Sequence, residues 1–177
     1  MSRNVEIKAV IKSFDDVIKS SRQISGKEAV ILRQHDVFYN SPNGRLKLRS
    51  VTEAGNKKTE LIWYDRPDVA GPKVSNFTKF DVPESLIESM KATLQASMGV
   101  KGEIKKERSL FLYGQTRIHI DRVEGLGDFL ELEVCLAEDD TVDKGEHIAR
   151  EILRELGIKH EDLLEGAYMD MLINAGK

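Results

Sequence analysis

"GRLKLRS", residues 44–50, places Arg45, Lys47 and Arg49 on alternate positions, with Leu46 and Leu48 between them. Strict alternation over this length reads as a strand with three cations on one face and two leucines on the other. The default for such a strand is leucines toward a core and cations in water, as in a half-covered antiparallel sheet. Whether that default holds depends on what the other strands present beside it.

The same period of two recurs along the chain. In "NVEIKAVIK" (4–12), Glu6 and Lys8 share a parity opposite Val5, Ile7 and Ala9. "EIKKERSLF" (103–111) sets Lys106 and Arg108 together, and "TRIHIDRV" (116–123) alternates Arg117, His119 and Asp121 with isoleucines. "DFLELEVCL" (128–136) places Glu131 and Glu133 against Leu130, Leu132 and Val134. "VILRQHDVFY" (30–39), "KTELIWYDR" (58–66) and "SNFTKFDV" (75–82) read as further strands, separated by turn-rich pieces such as "SPNG", "EAGN" and "EGLGD". Helical spacing appears in four segments: "SFDDVIKSSRQI" after a capping Ser13, and "PESLIESMKATLQASMG" with its Ile87, Met90, Leu94, Met98 stripe. The other two are "VDKGEHIAREILRELG" and "EDLLEGAYMDMLINAG". Strands and amphipathic helices without a linker or repeat predict one α+β domain over residues 1–177.

Composition narrows the class. With 177 residues, 40% hydrophobic and 32% charged, the chain can bury a sizeable core and reads as soluble and globular. A net charge of −3 gives no global basic field, so nucleic acid is not an expected partner. The single cysteine, Cys135, supplies neither an intrachain disulfide nor a Cys-rich metal site, which favours a reducing compartment. "MSRNVEIKAV" has no apolar signal region and no stretch approaches a membrane span, so a cytoplasmic protein without a membrane partner is expected. The chain lacks a P-loop and a Gly-x-Ser-x-Gly elbow, and its four histidines show no zinc spacing.

Seven cations (Lys8, Arg45, Lys47, Arg49, Lys106, Arg108, Arg117) and four acids (Glu6, Asp121, Glu131, Glu133) occupy the charged parity of five strands. The opposite parity is almost purely aliphatic, and four amphipathic helices need an aliphatic surface to cover. If the sheet closes or curls strongly, the helices coat its leucine-bearing outside and the charges line the interior. Charges removed from water cost several kcal/mol each unless paired or liganded. Arginine and lysine in excess suit a polyanion, above all phosphate. Carboxylate oxygens suit Mg2+ or Mn2+, and Glu131 and Glu133, two apart on one strand, project to the same side. His119 shares the parity of Asp121, which leaves a phosphate-side role and a plain polar filler both open. Cys135 continues the parity of Glu131 and Glu133 and reads as a small buried residue at a strand end.

The ordered set of motifs resembles the CYTH family, the triphosphate tunnel metalloenzymes that include class IV adenylyl cyclases and thiamine triphosphatases. "NVEIK" (4–8) is similar to the family's Glu-x-Glu-x-Lys signature. "QHDVFY" (34–39), "GRLKLR" (44–49), "LIWYDRPDVAGPKVSNF" (61–77), "KKERSLF" (105–111), "RIHIDRVEGLGDFLELEV" (117–134) and "EGAYMDML" (165–172) follow in family order. The resemblance implies an eight-stranded antiparallel tunnel with helices outside, a bound Mg2+ or Mn2+ and a small triphosphate-bearing substrate. It implies metal-side roles for Glu6, Asp121, Glu131 and Glu133, and a phosphate clamp of Lys8, Arg45, Lys47, Arg49, Lys106 and Arg108. Arg66, Lys73 and Arg117 join the substrate-binding set, and Glu6, Lys8, Arg49, Lys106 and Arg108 the catalytic one. Two departures stand out: Asn4 replaces the first signature Glu, and Tyr64 stands where the thiamine triphosphatase branch carries a lysine. "LIWYDRPD" and "GPK" are more similar to the cyclase branch.

Three functions share this triphosphate grip: a triphosphatase, a cyclase converting ATP to cyclic AMP and pyrophosphate, and a non-catalytic binding module. Hydrolysis demands least of the protein beyond the grip, so a metal-dependent triphosphatase is placed first, with adenylate cyclase as runner-up.

Overall fold

A computed structural model describes residues 2–175 of the chain. Among the described residues it forms eight strands: β1 Ser2–Val10, β2 Val30–Tyr39, β3 Arg45–Glu53, β4 Asn56–Asp65, β5 Lys73–Asp81, β6 Val100–Tyr113, β7 Thr116–Val123 and β8 Gly127–Leu136. All neighbours pair antiparallel in the order β1-β5-β4-β3-β2-β6-β7-β8, and β8 returns to β1, so the sheet closes into a barrel. Closure explains why both parities of β1 are shielded: Val5, Ile7 and Ala9 face outward under helices, and Asn4 and Lys8 face inward, all of them buried.

Helices α1 Phe14–Ser25 and α3 Val142–Glu155 cover the β1, β6, β7 and β8 side. Ser13 Oγ caps α1 by accepting from the Asp16 N–H, and Thr141 Oγ1 caps α3 by accepting from Lys144. Gly145 lets α3 lie close on the sheet, because a Cβ there would meet Val5 Cγ2 at 2.7 Å and Leu136 Cδ2 at 2.8 Å. Beneath these helices Phe111, Ile118, Ile120, Leu130, Leu132 and Val134 form the main core with Val5 and Ile7. Helix α2 Ile87–Met98, led by a 3-10 turn at Glu84–Leu86, lays Ile87, Met90, Leu94 and Met98 over Leu48, Tyr39 and Val82. The stretch 44–50 is therefore inside out: Leu48 is buried under α2, and the side chains of Lys47 and Arg49 sit in the barrel at 13% exposure each.

The last segment differs from its helical periodicity. Helix α4 spans only Tyr168–Asn174, and His160–Asp162 is a single 3-10 turn; the expected end at Gly176 lies outside the described residues. The intervening chain is diverted because Leu163 bridges Ala9 and the Leu164 N–H donates to Lys8 O at 2.8 Å. Gly166 then turns with φ of +74°, a conformation that favours glycine. This strap packs Tyr168 and Met169 against Phe38, Ile62, Tyr64, Ile104 and Phe129, and so closes one end of the barrel.

Candidate active site

The barrel encloses a cavity of about 720 Å³. Ten of the residues expected at the site line it: Glu6, Lys8, Lys47, Arg49, Arg66, Lys106, Arg108, Arg117, Glu131 and Glu133. Nine come from five strands, β1, β3, β6, β7 and β8, and reach inward because their parity opposes the aliphatic residues under the helices; Arg66 enters from the chain just past β4.

One wall, made by β2, β3 and β6, is cationic and tightly braced. Arg49 donates from Nε and Nη2 to Asp36 Oδ1 and Oδ2, at 2.6 Å each. Arg108 donates in the same way to Asp121 at 2.7 Å each. Lys47 lies 3.3 Å from Asp36 and Lys106 3.3 Å from Asp121, so each acid serves one arginine and one lysine. This side-on pairing fixes each guanidinium plane while Nη1 forms no part of the bidentate pair. Burial alone would raise both aspartates, but the adjacent cations hold Asp36 and Asp121 well below the usual carboxylate range. The lysines respond oppositely. Burial, with Arg108 and Arg49 nearby, pushes Lys106 down to about 7, and burial with Arg49 beside it brings Lys47 to about 8. Lys8, buried and near Arg66 and Lys106, also falls to about 8.

The opposite wall, β1 and β8, carries the carboxylates. Glu6 and Glu133 are direct cross-strand partners, and Lys8 partners Glu131. Like charges placed directly opposite repel, so the Glu6–Glu133 pairing is unfavourable without a cation between or beside them. Burial raises Glu6; Arg66, 2.6 Å away, opposes this, while Glu131 and Glu133 add to it. Glu131, although buried, is held well below the usual range by Lys8 and Arg108 at 4.0 and 3.4 Å. Glu133 accepts from Asn4 Nδ2 at 2.7 Å and from Arg117 at 3.3 Å. Asn4 Oδ1 is buried and has no hydrogen-bond donor. Three carboxylates and an orphaned amide oxygen are hard donors of the kind Mg2+ and Mn2+ take, so the residues present fit such an ion. Among the described residues no three acidic, histidine or cysteine side chains are already gathered as a metal centre; the carboxylates are turned toward their cationic partners.

A family model for the CYTH domain matches residues 2–168. The chain belongs to the CYTH family. Its closed eight-stranded barrel with helices outside is the triphosphate tunnel fold of that family. A protein of Methanocaldococcus jannaschii named as a candidate adenylate cyclase is 28% identical, covering 94% of this chain and 97% of its own length. The PH1012 protein of Pyrococcus horikoshii OT3 is 26% identical with a TM-score of 0.74, covering 94% of this chain and 98% of that one. A Hippeastrum protein, described as a candidate adenylyl cyclase with a dominant triphosphatase activity, shares the fold at 15% identity. Its TM-score is 0.68, and the match covers 100% of this chain and 97% of that one. Proteins carrying either name thus share this chain's fold, and CYTH tunnel enzymes use divalent metals.

Three expected site residues of the CYTH chain are not brought to the cavity. Asp121 is fully buried behind Arg108, with both carboxylate oxygens taken by that guanidinium and Tyr168 OH donating to Oδ2 at 2.9 Å. Arg45 lies beyond the closed end, donating to both oxygens of Asp68 at 2.7 Å, beside a second cavity of about 330 Å³. Lys73 donates to Val69 O at 2.9 Å and Leu164 O at 3.5 Å, tying the 66–72 loop to the strap. Parity gave their direction but not their depth along the barrel axis. His119 lines the cavity with Nε2 3.9 Å from Glu133, while Nδ1 has no partner.

Two residues that organise the site escaped the sequence reading. Asp36 lies on β2, where alternation with Leu32, Gln34 and Phe38 gives a mixed face rather than a charged one; the signal was its cross-strand placement opposite Arg49. Tyr168 sits where helical spacing masked its role. Its ring lies 3.8 Å from Lys8 Nζ and 4.9 Å from Lys106 Nζ, forming the floor of the cavity.

Proposed function

We propose that the chain is a divalent-metal-dependent triphosphatase that removes the terminal phosphate of inorganic triphosphate or of a triphosphorylated organic molecule. One observation carries the reading: Lys8, Lys47, Arg49, Arg66, Lys106 and Arg108 converge on one cavity, where burial first, and then their crowding, brings the lysines to about 7–8. A polyanion relieves that crowding at every position, and few other ligands do.

Glu6, Glu131 and Glu133 would hold Mg2+ or Mn2+, with Asn4 Oδ1 as a neutral oxygen beside them. Bound there, the ion would neutralise charge on the phosphate oxygens as a Lewis acid. Arg49 and Arg108, fixed by Asp36 and Asp121, hold the phosphate chain and stabilise the charge that develops on the departing bridging oxygen. Lys8 and Lys106 add charge above the Tyr168 floor. A water oxygen bonds to the terminal phosphorus, the bond from that phosphorus to the bridging oxygen breaks, and orthophosphate leaves with a shortened chain. The proton of the water passes to the released phosphates.

The triphosphatase activity described for the Hippeastrum protein, which also carries a cyclase name, supports this order of readings. The name of the Methanocaldococcus jannaschii relative favours the second one, in which the ribose 3′-hydroxyl of ATP attacks the α-phosphorus and pyrophosphate leaves. Chromatography of the nucleotides formed from ATP with Mn2+ separates them. ADP is the expected product; cyclic AMP would overturn the hydrolytic reading.

A further inference from the structure

The cavity is not charged throughout. Where β2, β3 and β6 approach its open mouth, their inward positions turn aliphatic: Leu32, Val51 and Leu110 all line it. Leu32 pairs directly with Arg108 on one side and Glu53 on the other, so Leu110 and Val51 are its diagonal neighbours at about 7–8 Å. The apolar stripe continues outward on the same parity through Val30, the direct partner of Leu110, and Leu112, exposed at 38% and 48%. Isolated exposed aliphatics need no explanation, but a contiguous set across three strands, adjoining a cationic clamp, does.

We infer that Leu32, Val51 and Leu110 form a shelf that receives the apolar face of a heterocycle attached to the phosphate chain. The preferred substrate is then an organic triphosphate rather than inorganic triphosphate. The inference rests on the clamp reading above and adds to it what lies at the outer end of the chain. Inorganic triphosphate is charged along its whole length and would leave the shelf bare, with aliphatic carbon beside an anion. A flat ring joined to the chain covers the shelf as its phosphates pass Arg108, which is the cross-strand neighbour of Leu32. Glu53 and Asn56, flanking the β3–β4 turn and lining the same mouth, offer hydrogen-bonding groups to the ring edge.

Calorimetric titration in EDTA, where metal-dependent turnover is stopped, tests this with two probes, ATP and inorganic triphosphate. Wild-type protein is expected to bind ATP more tightly. The double variant Val51→Thr/Leu110→Asn is expected to lose about tenfold in ATP affinity while holding inorganic triphosphate within about twofold, which also shows that it is folded. The single variant Val51→Thr, nearly isosteric, is expected to show the same selective loss at smaller size. Equal losses for both probes, or no preference for ATP in the wild type, would overturn the shelf alone. Failure of inorganic triphosphate to bind the wild type would overturn the clamp reading and the shelf with it.

Discussion

The two walls of the tunnel handle buried charge in opposite ways. On the cationic wall each arginine has an aspartate of its own, gripped at two points at 2.6–2.7 Å and shielded from water. On the acidic wall Glu131 meets its cations only at 3.4 and 4.0 Å, Glu6 has Arg66 at a single point at 2.6 Å yet faces Glu133 across the strands, and Asn4 leaves an oxygen without a donor. The first arrangement is complete in itself and orients its guanidiniums permanently. The second is incomplete, its charges free to re-partner when something enters. Structure is invested in the groups that grip, and unsatisfied potential is left in those that would hold an ion.

The contrast breaks most readily at Asp121. Replacing it with Asn leaves the buried Arg108 guanidinium with only Glu131, at 3.4 Å, as counter-charge, and a loss of about 3–5 kcal/mol in urea unfolding is expected. Stability near that of the wild type would mean that the braced wall is not braced. The matching change on the other wall, Glu133→Gln, removes one of two facing carboxylates whose partner Arg117 is 45% exposed. Its melting temperature is expected to be unchanged or higher, while metal-dependent turnover falls by roughly 10²–10³. A loss of stability with normal turnover would reverse the roles assigned to the walls.

A smaller effect concerns protons. Lys106, at about 7, has Arg108 and Asp121 beside it, Arg49 and Asp36 on the neighbouring strands of the same wall, and the Tyr168 ring below. Its pKa lies below the ordinary lysine value, so it is charged below pH 7 and loses its proton as pH rises through that value; Lys8 and Lys47 follow near 8. The charged forms grip phosphate. ATP binding should therefore weaken between pH 6.5 and 8.5, by roughly tenfold, and at pH 8 should take up protons, read by calorimetry in buffers of different ionisation heat. Binding without proton uptake would place the lysines outside the grip. The smallest change expected is at Asn4. Asn4→Asp restores a charged oxygen beside Glu133 and should tighten Mn2+ binding severalfold by electron paramagnetic resonance; weaker binding would take Asn4 out of the donor set.

Much of this was legible in the chain. Aliphatic residues on one parity and charges on the other in five strands, with helices in need of a surface, required the charged face of Lys47 and Arg49 to turn inward. What alternation does not encode is position along the barrel axis. Arg45 and Lys73 share the inward parity of the clamp yet end up tying down the loop and strap at the closed end. Asp121 shares it too and lies behind Arg108, because its direct cross-strand partner is that arginine. Tyr168 was hidden for a different reason. Its neighbours have helical spacing, but hydrogen bonding of Leu164 to the end of β1 straightens the chain before the helix can start. Register and long-range backbone pairing decided all four, and neither is local in sequence.

The most direct test of the central claim follows inorganic triphosphate by phosphorus NMR with wild-type protein and Mg2+ or Mn2+, and again with EDTA. Orthophosphate and pyrophosphate are expected to appear in equal amounts with metal, and the triphosphate signals to persist in EDTA. Triphosphate that binds but stays intact with either metal would contradict a hydrolytic tunnel.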